Sequence, residues 1–365
     1  MPVDPAPSDT TVPYTLRRIG VIMTPDPSNP DEIEGVLNPA TGRDRNGDLY
    51  LLPRLVARGN VSRVGLARVL VTDAVPSGVE RLGVVLAPET GWERARGHAG
   101  VEDPRVTWVA ALGVHVMTYV AYGPLGPRSA VAVSDDLRVW KRLGPIHFHY
   151  QADLDTDLNL FCNKDIVFFP EPVVAPDGRP CLAALHRPMW DLDEVAPGLG
   201  RYLPAGVVDD RPGIWISYVP VDDVTGDLCR LTEFRWHRQV ALPVHDFEAL
   251  KIGAGPPPIR IPEGWLLIHH GVSGVLQPGV DHQPLVHYAA GAMILSAEDP
   301  AAVLARTPTP LLTAQIVQER SGIVPNVVFP TAIEEIDNQL FVFYGMADSR
   351  IGVAALDRTA AIASA

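Results

Sequence analysis

The sequence predicts an all-β fold whose sheets close on themselves, and three observations carry that prediction. The 365 residues include 36 prolines and 31 glycines, which leaves little room for long amphipathic helices. Many short apolar runs of strand length recur, each bounded by turn residues. No linker or shift of composition divides the chain, so one catalytic-sized unit is expected over residues 1–365, with 1–18 as a loosely ordered N-terminal extension. A β-propeller closes such a chain by radial repetition of small sheets, which hides their edges.

The clearest strand signals lie at residues 48–52, 114–120, 129–133, 213–219, 264–270 and 339–344, all rich in β-branched, aromatic and aliphatic residues. Turn pairs such as Asn46-Gly47, Asp177-Gly178 and Asp337-Asn338 punctuate the chain. Ser134-Asp135-Asp136-Leu137-Arg138-Val139-Trp140 has the form of a turn that closes a propeller blade, but the repeats are too degenerate to count blades by spacing. One helical turn is expected at residues 297–304, with Asp299 as its cap and Pro300 at its first position. The Asp-, Gly- and Pro-rich stretch from Trp190 to Pro212 reads as an inserted loop that would shape a substrate site. Trp140, Trp215 and Trp265 fit blade cores better than sugar-stacking platforms.

Charge narrows the function. A formal net charge of −13 opposes a nucleic-acid or anionic-membrane partner, so an anionic ligand would need a local cluster of cations. The N-terminus has no basic segment followed by an apolar one, and no apolar run reaches membrane-spanning length, so a cytoplasmic location is expected. Cys162, Cys181 and Cys229 are odd in number and widely spaced, which suits reduced, structural thiols. No phosphate-binding Gly-rich loop, Gly-x-Ser-x-Gly elbow or dinucleotide fingerprint occurs.

Gly100-Val101-Glu102-Asp103-Pro104-Arg105-Val106 places two acids and a base between apolar runs. Pro104 pushes Asp103 out of the α region, which would set its carboxyl at the entry of the extended run that follows. A poised general acid is the functional reading, and an Asp-Pro turn that merely starts a strand is the plain one. Burial would raise the Asp103 pKa and Arg105 would lower it. His147-Phe148-His149 and His269-His270 invite a metal reading, since His-x-His on a strand puts both rings on one face. No acid or cysteine at ligand spacing completes either pair, so no metal is expected.

Taken together, Asn38-Pro39-Ala40, Leu52-Pro53-Arg54, Gly100-Val101-Glu102-Asp103-Pro104-Arg105, Asn163-Lys164-Asp165 with Phe169-Pro170, His186-Arg187-Pro188, His270-Gly271-Val272, Tyr288-Ala289-Ala290-Gly291-Ala292, Val324-Pro325-Asn326-Val327-Val328-Phe329-Pro330 and Tyr344-Gly345-Met346-Ala347-Asp348 form an ordered series. That series, over residues 20–355, resembles glycoside hydrolase family 130. The resemblance implies a five-bladed β-propeller whose funnel takes a β-mannoside. It also implies an inverting phosphorylase that uses inorganic phosphate as co-substrate, needs no cofactor and releases mannose 1-phosphate, with hydrolases as the family's minority. By the same resemblance Asp103 is the catalytic acid, its proton reaching the glycosidic oxygen through the sugar's 3-hydroxyl. Asn38, Arg54 and Asp348 would contact the mannosyl unit, with Asp165, His270 and Tyr288 also binding substrate. Arg128, Lys164, His186 and Arg187 would hold phosphate.

Elementary chemistry agrees with that division. Glycoside cleavage needs a proton on the leaving oxygen and a nucleophile on the opposite face; a hydrolase supplies the second through a carboxylate base, whereas phosphate is already anionic and needs cations. Lys164, His186 and Arg187 could supply them, or Lys164 and Arg187 could be strand-end charges paired with Asp165 and Glu171. The alternatives are an inverting β-mannosidase with Glu102 or Glu171 as base, and a non-catalytic carbohydrate-binding propeller. The chain departs from the family pattern at His269, where Tyr is usual, at Ser296, where Asp is common, and in a longer stretch from Met189 to Pro212. Those departures leave the leaving-group sugar and the choice between β-1,4 and β-1,2 bonds open. The Pro-rich loops and the tail at residues 359–365 are the candidate contacts for a homo-oligomer.

Overall fold

The six expected runs all fall in strands, two of them one residue late at their start. The protein, described here from a computed structural model, is seen at residues 12–95, 99–124, 126–193, 198–277 and 283–359. Its strands follow one another as antiparallel meanders. The first comprises β1 (Tyr14–Met23) only as a strand lent elsewhere, then β2 (Gly35–Arg43), β3 (Leu49–Ala57), β4 (Val61–Thr72) and β5 (Val75–Leu86). Next come β6 (Ala99–Val109), β7 (Val114–Gly123), β8 (Gly126–Ser134) and β9 (Lys141–Pro145), followed by the short β10 (His147–Phe148). The third meander holds β11 (Cys162–Phe168), β12 (Val173–Val174), β13 (Pro180–Met189), β14 (Ile214–Pro220) and β15 (Glu233–Ala241). The fourth holds β16 (Lys251–Ala254), β17 (Ile259–Ile261), β18 (Gly264–Gly274), β19 (Val286–Leu295) and β20 (Val303–Arg306). The last, β21 (Val328–Ile336), β22 (Gln339–Met346) and β23 (Arg350–Arg358), takes β1 as its outer strand, with Tyr14 opposite Arg358.

Hydrogen bonding groups these strands into a four-, a five-, a six- and an eight-stranded sheet. The eight-stranded one is two meanders joined through a short parallel pairing, Val61 with Ala99 and Ser62 with Gly100. Gly100 has φ 128°, and a Cβ there would lie 2.2 Å from the Ser62 carbonyl oxygen, so this junction requires glycine.

The core lies between neighbouring meanders. Val106, Met117 and Ala132 meet Leu52 and Val64; Val116 and Val131 meet Phe168 and Trp215; Leu185 and Ile216 meet Trp265 and Leu267. Ile268 and Ala292 meet Val342 and Met346, and Phe343 and Val353 return to Leu51 and Leu55. Each interface therefore hands on to the next, and the last meander packs back on the first. Trp140, Trp215 and Trp265 are all buried in this packing.

A buried acid ties three of the meanders. Glu93 accepts from the N–H groups of Glu89 and Thr90, from the Tyr119 hydroxyl on β7 and from Arg142 on β9. Glu248 does the same with Val244, His245, His269 on β18 and Arg306 on β20, and Glu319 with Gln315, Ile316, Tyr344 on β22 and Arg18 on β1. His269 thus stands where its counterparts are tyrosines, which accounts for one departure in the sequence. The third meander has instead a neutral chain: Asn163 to His186, His186 to Ser217, Ser217 to His237, and His237 to the His149 carbonyl, at 2.8–3.0 Å.

Several expectations are corrected here. The loose extension does not reach residue 18, because Tyr14–Arg18 already pair with β23; residues 1–11 lie outside the described residues. No helix forms at 297–304: Ser296 Oγ accepts from Glu298 and Asp299, Asp299 accepts from Ala301, and the chain is then drawn into β20 by pairing with β19. Of the proposed contact tail, residues 360–365 lie outside the described residues. The Ser134–Trp140 turn forms as expected, with Ser134 Oγ accepting from Leu137 N–H and Trp140 Nε1 donating to the Leu137 carbonyl. Cys162 and Cys181 are buried and Cys229 exposed, all as free thiols. Among the described residues no helix is long and apolar enough to cross a membrane.

Candidate active site

Three first strands carry the site through the same device. β2, β6 and β11 each break register at a bulge, between Leu37 and Ala40, Glu102 and Arg105, and Lys164 and Val167. The residues inside those bulges, Asn38, Asp103 and Asp165, have φ of 42°, 46° and 56°. Asn and Asp tolerate this left-handed backbone better than other side-chain-bearing residues, and a bulge re-aims the side chain it contains. Asp103 is therefore not at a strand entry: Pro104 disfavours the right-handed helix, as expected, and the bulge takes the left-handed region in mid-strand. Asp348 enters from the turn between β22 and β23, with φ 49°.

These groups meet at one cavity of about 840 Å³, lined by Asn38, Arg54, Asp103, Lys164, Asp165, Arg187, Tyr288 and Asp348. Such a volume suits a small oligosaccharide or similar ligand. Asp103 Oδ1 accepts from Asn38 Nδ2 at 2.8 Å and from Arg54 Nη1 at 3.0 Å. Both donors address the same oxygen, which leaves Oδ2 as the place for a proton. Arg54 is itself fixed by Ser62 Oγ and Glu102 Oε1, each at 2.8 Å. Burial opposes its charge, but Glu102 and Asp103 hold its pKa above the usual value.

Asp165 is built differently. Burial would raise its pKa, yet Arg187 Nε at 2.6 Å overcomes this, helped by Arg105, and the carboxyl is held well below the usual range. His270 lies 3.5 Å from it, but burial keeps that imidazole neutral, so Arg187 is the counter-charge. Asp348 goes the other way: enclosure raises it to about 7, Arg54 opposes, and Asp103 and Glu102 add to the rise. Enclosure likewise raises the Tyr288 phenol.

The structure removes three expected residues from direct contact. His186 is fully buried in the Asn163–Ser217 chain with both ring nitrogens engaged, and burial drives its pKa far down, so it is no cation for phosphate. Arg128 donates to the Asn159 carbonyl and does not line the cavity. His270 lies behind the wall, fully buried against Phe329 and Tyr288 rather than facing a sugar. Glu171 is exposed and away from the cavity, which ends its candidacy as a base. Arg105 turns from the Asp103 carboxyl to the Gly255 carbonyl, at 2.8 Å, and to Asp165. From the 190–212 loop none of the described residues lines the cavity; only the adjacent Met189 does.

Lys251 was missed. It lines the cavity from the start of β16, with Nζ 5.8 Å from the Tyr288 ring centre. Locally it is one lysine before Ile252 and Gly253, and only the pairing of β16 with β18 brings it here.

The chain is similar to several known proteins. A family model described as beta-1,4-mannooligosaccharide phosphorylase matches residues 237–362. The chain is 29% identical over 340 residues to the 1,2-beta-oligomannan phosphorylase of Thermoanaerobacter sp. (strain X514), covering 92% of this chain and 94% of that protein. It is 31% identical to the beta-1,2-mannobiose phosphorylase of the same strain, covering 74% of this chain and 69% of that protein. In fold it resembles the beta-1,2-mannobiose phosphorylase of Listeria innocua, with a TM-score of 0.66, 20% identity, and coverage of 93% of this chain and 96% of the other.

Proposed function

Because the chain belongs to glycoside hydrolase family 130, we propose that it is an inverting β-mannoside phosphorylase, built as a single five-bladed propeller whose blades are the successive meanders. Phosphate oxygen attacks the anomeric carbon, the C1–O glycosidic bond breaks, and the leaving oxygen takes a proton that originates on Asp103 Oδ2. Inversion at a β-mannoside gives α-mannose 1-phosphate. The reaction consumes phosphate and calls for no other co-reactant.

The observation that carries this reading is the cavity's division of charge. Asp103 sits on an amide and a guanidinium that leave one oxygen for a proton, while Lys164, Arg187 and Lys251 line the same space. Arg187 spends Nε on Asp165, and its buried Nη1 has no hydrogen-bond partner among the described residues. A buried donor left so costs free energy, and an oxyanion would satisfy it. Asn38, Arg54 and Asp348 are assigned to the mannosyl unit, with Tyr288 beside them, and Asp165 serves by holding Arg187. Glu102 is a poor base for hydrolysis, since it shares the Arg54 guanidinium with Asp103 and so stands beside the acid rather than across the sugar from it.

The test is incubation with β-1,2-mannobiose, β-1,4-mannobiose or mannosyl-glucose, with and without phosphate. The β-1,2 substrate comes first because the relatives with widest coverage carry that linkage in their names. Phosphate-dependent α-mannose 1-phosphate, followed by proton NMR, is expected. Free mannose at an unchanged rate without phosphate would make the protein a hydrolase, and sugar binding without turnover would make it a binding module.

A further inference from the structure

Sequence spacing left His147-Phe148-His149 without an acidic partner, and the fold supplies one. β10 runs parallel to β15, with His147 opposite Glu233 and Phe148 opposite Phe234. Phe148 turns inward, so the two histidines share the outer face. Their ring centres are 5.2 Å apart, and His149 Nε2 lies 2.7 Å from Glu233 Oε2. One donor atom from each of the three residues falls within 4.8 Å of the others.

The backbone beneath is held by packing and hydrogen bonds. Phe148 packs edge-on against Phe234 and beside His237 and His186. His149 donates its N–H to the Phe234 carbonyl at 2.8 Å, and its own carbonyl accepts from His237 Nε2 at 2.8 Å. That carbonyl can only accept and the Asn163 amide at the far end donates, so every link of the buried chain points one way and both of its histidines are neutral, protonated on Nε2. The chain is therefore a strut under the cluster. None of the three cluster residues lines the active cavity.

We propose that His147, His149 and Glu233 form a site for a divalent transition ion of the zinc class, separate from the sugar cavity. Two imidazoles and a carboxylate are the donor set zinc accepts with a fourth, water-filled position, and the exposure of His147 with the partial exposure of His149 and Glu233 leaves that position open. Tetrahedral bonds of roughly 2.0–2.1 Å place donors about 3.3 Å apart, so small rotations of half-exposed side chains close the present spacing. The ion would replace the His149–Glu233 hydrogen bond and clamp β10, which leads out of the second meander, to the outer strand of the third.

The experiment is calorimetric titration of the full chain, stripped with chelator, with zinc chloride, and thermal melting with and without the ion. One equivalent should bind and raise Tm, as any ligand selective for the folded state must. His147→Ala and Glu233→Gln should each weaken binding by at least about tenfold. His287→Ala, which removes an exposed histidine on β19, should bind as the wild type does. Absence of saturable binding, or binding that survives in both cluster variants, overturns the site. None of these readouts depends on the phosphorylase reading.

Discussion

Asp165 and Asp348 face one cavity from two walls and are driven to different protonation states. On the β11–β13 wall, Asp165 is enclosed but clamped by Arg187, with Arg105 behind, and stays ionised. On the β22–β23 wall, Asp348 is enclosed among acids, shares Arg54 with Glu102 and Asp103, and rises to about 7. Burial alone therefore does not make an acid: the number of cations per carboxylate decides. Asp103, in the same cavity, has its Oδ1 held by Asn38 and Arg54.

The largest test of that comparison is Asp103→Asn. The amide oxygen can still accept from Asn38 and Arg54, so Tm should hold while phosphorolysis falls by roughly 10²–10⁴-fold, the usual worth of a positioned general acid. Near-normal turnover would take Asp103 out of that role. Asp165→Asn should strike stability instead, because it leaves Arg187 and Arg105 buried without their counter-charge. A loss of about 3–5 kcal/mol in denaturant unfolding is expected. A loss below about 1 kcal/mol would mean that the clamp is not what holds Asp165 ionised.

Asp348→Asn gives a smaller effect, read through pH. Its folded pKa of about 7 exceeds the unfolded value near 4, so the native state binds the extra proton between them. The stabilisation is complete below about pH 4 and is lost as pH rises through 7. The variant lacks that loss, so its Tm relative to wild type should climb from pH 5 to pH 8. A constant difference would show that Asp348 is not raised. Asp165 has the contrary sign, its contribution being present above about pH 4 and lost on acidification. The smallest effect belongs to Glu171→Gln: this side chain is exposed and off the cavity, so kcat/KM and Tm should stay within error, whereas a hydrolase using it as base would be inactivated.

Legibility varied with the range of the interaction. Strand positions were readable because apolar runs and turn residues act locally, and Asp103 was readable as an acid at a turn between apolar runs, whereas Asn38 and Asp165 were reached only through the family resemblance. The shared left-handed bulge was not, since Pro104 argued only against the right-handed helical region at Asp103. The buried Glu93, Glu248 and Glu319 ties escaped notice because each ring partner comes 21 to 26 residues later, with no local pattern linking the two. His186 looked cationic beside Arg187. Successive strand residues face opposite sides of a sheet, so one entered the core and the other the cavity.

What the sequence by itself determined was an all-β chain, its strand segments and, through an ordered series of motifs, the family to which it belongs. Alternation, turn chemistry and composition are properties of neighbouring residues and survive without a fold. Tertiary structure alone decided that Lys251 joins the cavity and His186 leaves it, that Asp348 holds a proton near neutrality while Asp165 does not, and that Glu233 comes to lie beside His147 and His149, more than eighty residues earlier in the chain. Proximity across sheets and the loss of water are produced only by packing, and both pKa values and ligand sets depend on those two quantities.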